Sequence, residues 1–187
     1  VRNGIIAAIG PMDELPPVPA AETIDAAGCL VIPGLINTHV HAPMTCFRGL
    51  ADDLPLMTWL HEHVFPAEAA HACPDMAYWG AKLACAEMLL SGTTCFVDSY
   101  FHEADVARSV SETGIRAMLA QGVVDFPAPG VPDPARNIDH VREYLDEWLG
   151  RSPLVLPVVF CHSPYTCSPE TLRKGKELAR EKDVPFL

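Results

Sequence analysis

The chain has 187 residues, 49% hydrophobic and 20% charged, and a formal net charge of -11. That length allows one full domain, or one domain with part of another. The acidic balance excludes nucleic acid as a partner, since phosphate binding needs clustered Lys and Arg, and no apolar run approaches the roughly 18 residues of a membrane span.

Acidic residues are dispersed along the chain, which fits a role in solubility. The sequence opens on Val1-Arg2-Asn3-Gly4, without an initiator Met or a secretory signal, and is expected to be a piece of a longer protein. Its seven cysteines are odd in number and form no Cys-x-x-Cys pair. Most lie in apolar contexts such as Leu83-Ala84-Cys85, as reduced, buried thiols of a cytoplasmic protein do.

Residues 1–32 read as short strands joined by turns. A strand over 5–10 follows the Asn3-Gly4 turn signal, a Pro-rich connection spans 15–19, and strands over 23–25 and 29–32 come next. Residues 1–33 are therefore expected to form part of a small N-terminal β-sandwich-like domain.

From Gly34 strands alternate with helices. The apolar strand candidates are 35–41, 93–99, 116–125 and 154–162, and the helical patterns are 74–91, 102–113, 134–149 and 168–183. The last helix has Ser168 as its cap, Pro169 in its first turn and Glu170 behind it. A further strand opens at Val184. Repeated strand–helix units with near-continuous apolar strands imply a parallel sheet covered on both faces. Four units and the start of a fifth make residues 34–187 the N-terminal half of a (β/α)8 TIM barrel, an α/β fold. A doubly wound sheet is the alternative, but no Gly-x-Gly-x-x-Gly follows any strand.

In a barrel, chemistry gathers at the C-terminal strand ends. There this chain has His39 and His41, then Asp98 and His102, then Gln121 and Asp125, and finally His162. His39 and His41 share a face of the first strand, so their imidazoles converge as half of a metal site. The competing reading, one surface His and one turn cap, is outweighed by the Pro-Gly entry, the apolar strand and the residues C-terminal to His41. His61-Glu62-His63 is a control: it lies in a helical pattern, where i and i+2 do not face each other. That pair reads as helix surface.

Pro33-Gly34-Leu35-Ile36-Asn37-Thr38-His39-Val40-His41 resembles the metal-binding signature of the amidohydrolase superfamily. Met44-Thr45-Cys46-Phe47-Arg48-Gly49-Leu50-Ala51-Asp52-Asp53-Leu54-Pro55-Leu56 and His162-Ser163-Pro164-Tyr165-Thr166-Cys167-Ser168 resemble a narrower branch, the 5-methylthioadenosine/S-adenosylhomocysteine deaminases and related triazine chlorohydrolases. The resemblance implies one divalent metal ion, Zn or Fe, with His39 and His41 as two of its ligands. A third His, an Asp ligand and a Glu that shuttles the proton are expected beyond residue 187. In the two-metal subtype a carboxylated Lys ends strand four; here that strand ends Phe160-Cys161-His162, which favours a single metal.

The same resemblance places Glu68 where relatives hold the ribose hydroxyls, and a carboxylate suits vicinal hydroxyls. A charge at a helix N-terminus is the equal alternative. His162 matches the residue that contacts the heterocycle, with a structural role as the alternative. Trp59 is either a pocket wall or a core aromatic on an amphipathic helix. Some adenosine-type relatives carry Arg near the end of strand three, where this chain has Gln121. Arg136, after the stiff Pro-rich loop 127–134, can replace that charge, or it is simply solvated.

The implied activity is hydrolytic deamination of an aminated heterocycle, most directly an adenosine-like nucleoside, with loss of ammonia. A chlorohydrolase or another purine or pterin deaminase is the alternative within the superfamily, and a catalytically silent barrel scaffold the alternative outside it. A closed structural Zn module is disfavoured, because such sites are rich in Cys. The expected partner is a small-molecule substrate, with a homo-oligomer left open, and the 187-residue piece alone is expected to be inactive.

Overall fold

In the computed structural model, which describes residues 1–11, 13–14, 19–20 and 22–187, four strands follow one another across a single sheet in the order of the sequence. They are β1 (Leu35–Val40), β2 (Thr93–Tyr100), β3 (Arg116–Gln121) and β4 (Val155–Pro157), all paired in parallel. Each crossover carries helix. After β1 come a short 3-10 turn (Ala42–Phe47), α1 (Leu56–Thr58), a π-helical turn (Trp59–Val64), α2 (Phe65–His71) and α3 (Pro74–Leu90). α4 (Glu103–Thr113) joins β2 to β3, α5 (Asn137–Trp148) joins β3 to β4, and α6 (Pro169–Lys182) follows β4. This is part of a (β/α)8 barrel.

The fourth predicted strand, 154–162, forms a shorter ladder than its pattern suggests. Pro157 has no N–H to donate, so regular pairing stops there. The direction persists: Val158 N–H donates to Leu119 O, Val123 bridges Cys161, and His162 N–H donates to Val123 O. The strand predicted at 184–187 is under way, since Phe186 bridges Val159 in parallel. β1 is the sheet's edge here, and Leu35 and Ile36 are exposed.

The core lies between sheet and helices. Phe96, Leu119, Val123 and Val159 meet Ala81, Cys85, Val106, Val110, Val141, Leu145 and Leu178, all buried. The alternating burial of β2 puts Phe96, Asp98 and Tyr100 on one covered face. α6 begins as its sequence predicts, with Ser168 Oγ accepting from Thr171 N–H at 3.2 Å. α3 seats the turn after β1 through a close approach at Gly80, where a Cβ would lie 2.5 Å from Pro43 O. Thr45 Oγ1 fastens the same turn by donating to Gly80 O at 2.8 Å.

Residues 1–33 form one compact unit and Gly34–Leu187 another. Among the described residues of the first, pairing is limited to one antiparallel bridge, Arg2 with Ile5, around the Asn3-Gly4 turn. The segments read as strands at 23–25 and 29–32 carry no ladder. Three or four residues without a neighbouring strand among the described residues cannot sustain one. Residues 15–18 of the Pro-rich connection lie outside the described residues.

Candidate metal and substrate site

β1 delivers His39 and His41 to its C-terminal end with ring centroids 5.3 Å apart, edge to face at 77°. His41 Nδ1 lies 2.6 Å from Ser99 O at the end of β2. The carbonyl can only accept, so Nδ1 carries the proton and Nε2 keeps its lone pair for a cation. Burial lowers the His41 pKa, opposed by the Ser99 carbonyl and reinforced by the charges of His39 and His162. At the end of the fourth strand, the His162 pKa is likewise lowered by the partial burial of its ring and by His39. The neutral, metal-binding form is therefore favoured at His41.

The donor chemistry fits a divalent cation. Among the described residues no group of three or more His, Cys, Asp or Glu is gathered to hold an ion by itself. What this chain contributes is a two-imidazole edge.

That edge is braced from behind. Asp98 is fully buried, and Ala42 N–H, just past His41, lies 3.2 Å from each of its carboxylate oxygens. Consecutive residues of β2 therefore fix the turn through Asp98 and the His41 ring through Ser99. Burial drives the Asp98 pKa upward, with the Ala42 N–H opposing.

Glu68 lies in the first turn of α2, yet the residue before that helix, Val64, is itself helical, so no free N-terminus is there to cap. The side chain turns inward instead, and Tyr100 Oη donates to Glu68 Oε1 at 2.8 Å. Tyr100 ends β2, and its ring is 6.3 Å from that of His41. His162 is exposed, with Nδ1 2.9 Å from Thr166 Oγ1 across the tight turn that closes the 163–167 loop.

Other strand-end residues serve the scaffold. Asp125 accepts from Ser168 N–H at 2.6 Å, Thr171 Oγ1 at 2.8 Å and Asn137 Nδ2 at 3.2 Å, tying the β3 exit to the starts of α5 and α6. Gln121 Oε1 accepts from Glu103 N–H at 3.2 Å. His102 adopts a left-handed conformation (φ 58°), and a Cβ on Gly130 would lie 2.8 Å from its Cε1. The Pro-rich segment thus folds down on His102 rather than on the histidine pair. Arg136 pairs with Asp139 at 3.1 Å and Glu143 at 3.2 Å, both of α5. His61 and His63 lie on the π-helical turn, where the His61 ring meets Phe65 edge-on. Trp59, on the same turn, is half-buried.

Two residues escaped the sequence reading. Tyr100 had a signal: it stands two positions after Asp98, on the same face of a strand end. Glu103 had none, because an acidic residue in a helix's first turn reads as a dipole partner. It is fully buried instead, and neither carboxyl oxygen has a hydrogen-bond partner among the described residues.

Parallel βα units with a histidine pair at the end of the first strand define a class by fold, a partial (β/α)8 barrel. The chain belongs to the amidohydrolase family, whose sequence pattern matches residues 30–187. A 5-methylthioadenosine/S-adenosylhomocysteine deaminase of Syntrophobacter fumaroxidans is 45% identical over 188 residues, covering 100% of this chain and 42% of that protein. A 5'-deoxyadenosine deaminase of Methanocaldococcus jannaschii is 43% identical over 167 residues, 89% of this chain and 39% of that protein. An adenosine deaminase structure from Xanthomonas campestris with bound zinc superposes with a TM-score of 0.78 at 38% identity, over 82% of this chain and 35% of that one. The chain spans about two fifths of the length of the curated relatives it matches.

Proposed function

We propose that the protein is a metal-dependent aminohydrolase that deaminates an adenosine-like nucleoside, and that this chain supplies half of its metal site and part of its substrate pocket. One observation carries the reading. Two imidazoles end a barrel strand with rings 5.3 Å apart, and one of them is fixed in its metal-binding tautomer by Ser99 O. The names of the relatives support the substrate class.

His39 and His41 would hold a divalent cation, zinc in the first instance, together with the His and Asp that the resemblance assigns beyond residue 187. When bound, such an ion supplies a Lewis acid that lowers the pKa of water towards about 7. The protein's own groups then bind and orient. Ser99 O keeps the proton of His41 on Nδ1. Asp98 holds the turn behind it. His162 would meet the heterocycle, and Glu68 would accept from the sugar hydroxyls. Arg136 is engaged by α5 and is left out of this site. The names of the deaminase relatives support a small-molecule partner, and among the described residues no helix is long and apolar enough to cross a membrane. All seven cysteines are unpaired, but only Cys85, Cys161 and Cys167 are buried, fewer than their apolar sequence contexts suggest. A cytoplasmic setting is proposed from their odd number and the lack of a Cys-x-x-Cys pair.

The test is ammonia release by the full-length protein from adenosine, 5-methylthioadenosine and S-adenosylhomocysteine. Turnover of at least one is expected, falling about a hundredfold or more in His39→Ala or His41→Ala. Turnover of none of the three would sink the proposal, and chloride release from a chlorotriazine in their place would move it to the chlorohydrolases.

A further inference from the structure

Tyr100 and Glu68 make a buried pair that the metal edge does not use. They are only 5% and 8% exposed, and they come from different elements, the end of β2 and the first turn of α2. The Tyr100 phenol donates to Glu68 Oε1 at 2.8 Å. Its backbone is pinned too, since Gly122 N–H donates to Tyr100 O at 2.7 Å. Burial and the neighbouring Glu68 charge push the phenol pKa upward, so it stays protonated and is a permanent donor.

The two carboxylate oxygens differ. Oε1 is taken by the phenol, whereas Oε2 bonds to no protein group among the described residues. Nor is Oε2 among the buried side-chain atoms sealed from solvent without a partner, as both oxygens of Glu103 are. A nearly buried carboxylate with one oxygen clamped and the other open is an acceptor presented in a fixed direction. The clamp stands near the histidine edge, with the Tyr100 ring 6.3 Å from that of His41.

We propose that Tyr100 is a positioning residue for sugar recognition, holding Glu68 so that its open oxygen stands at a set distance from the histidine edge and selects ligands with free ribose hydroxyls. This rests on the nucleoside reading above and deepens it. A purely structural tyrosine would stabilise the fold and leave the choice between sugars untouched.

The test is calorimetric binding of inosine and 2′,3′-dideoxyinosine to the full-length protein; neither has an amino group to lose, so binding is read without turnover. Wild type is expected to prefer inosine by about tenfold or more, the range for a hydrogen bond to a charged group. Tyr100→Phe should lose most of that preference by weakening inosine alone, and adding it to Glu68→Gln should cost nothing further. Glu68→Asp keeps the charge but withdraws it from the phenol, and should lose the preference likewise, so either variant serves if the other does not fold. The proposal is overturned if Tyr100→Phe keeps the preference, if it weakens both ligands equally, or if wild type shows no preference. Ammonia release separates the two readings. Preference without deamination leaves this inference standing and removes the proposed activity; deamination without preference does the reverse.

Discussion

Glu103 is the residue at greatest odds with its surroundings. Burial pushes its carboxyl well above the usual carboxylate range, and the Asp98 charge adds to this. The folded protein therefore keeps a proton there that the unfolded chain releases above about pH 4.3. Because the native state binds more protons, stability falls as pH rises through and beyond that value. Glu103→Met should consequently raise stability at pH 8 by about 1–3 kcal/mol. The gain should shrink as pH approaches 4, as read by denaturant melts across pH; a gain independent of pH would contradict the account. Residue identity makes this carboxyl no different from Asp105 two positions on, which pairs at 2.6 Å with Arg108 on the surface. Only packing tells the two apart, and packing is a property of several segments at once. His39 and His41 were legible for the opposite reason, since strand period alone puts them on one face.

At the scale of elements, local chemistry forecast the helices and tertiary contacts reshaped the strands. α6 carries its own start signal, and Ser168→Ala should cost about 1 kcal/mol in thermal or denaturant unfolding. A change within error would show that the Oγ contact with Thr171 N–H does not contribute. The fourth strand lost its regular ladder to Pro157, a break visible in the sequence but one that periodicity does not weigh. The 23–25 and 29–32 segments have strand-like composition yet pair with no strand among the described residues, and pairing depends on what lies alongside. α3 shows how an element shapes a site it does not enter. Gly80→Ala would push a Cβ towards Pro43 O, and either the helix or the turn after His41 must move. We expect about 1–3 kcal/mol of destabilisation together with weaker zinc binding in a chelator competition. Unchanged zinc affinity would show that the turn is not part of the site's support.

For the molecule as a whole, sheet order carries the functional argument. Because β1, β2, β3 and β4 pair in sequence order and in parallel, their C-terminal ends lie along one rim. That rim brings His39 and His41, Ser99, Tyr100 and His162 to one end of the sheet from segments more than a hundred residues apart. The strand–helix rhythm made this rim predictable, while the clamps behind it, Asp98 on Ala42 N–H and Tyr100 on Glu68, depend on side-chain directions that no spacing reveals. The central claim is that the end of β1 is a metal edge. It is tested most directly by zinc bound per chain in the full-length protein and in its His39→Ala/His41→Ala variant, each folded and dialysed against the same trace of zinc. Wild type should hold about one zinc and the variant almost none; a variant that keeps its zinc would contradict the assignment.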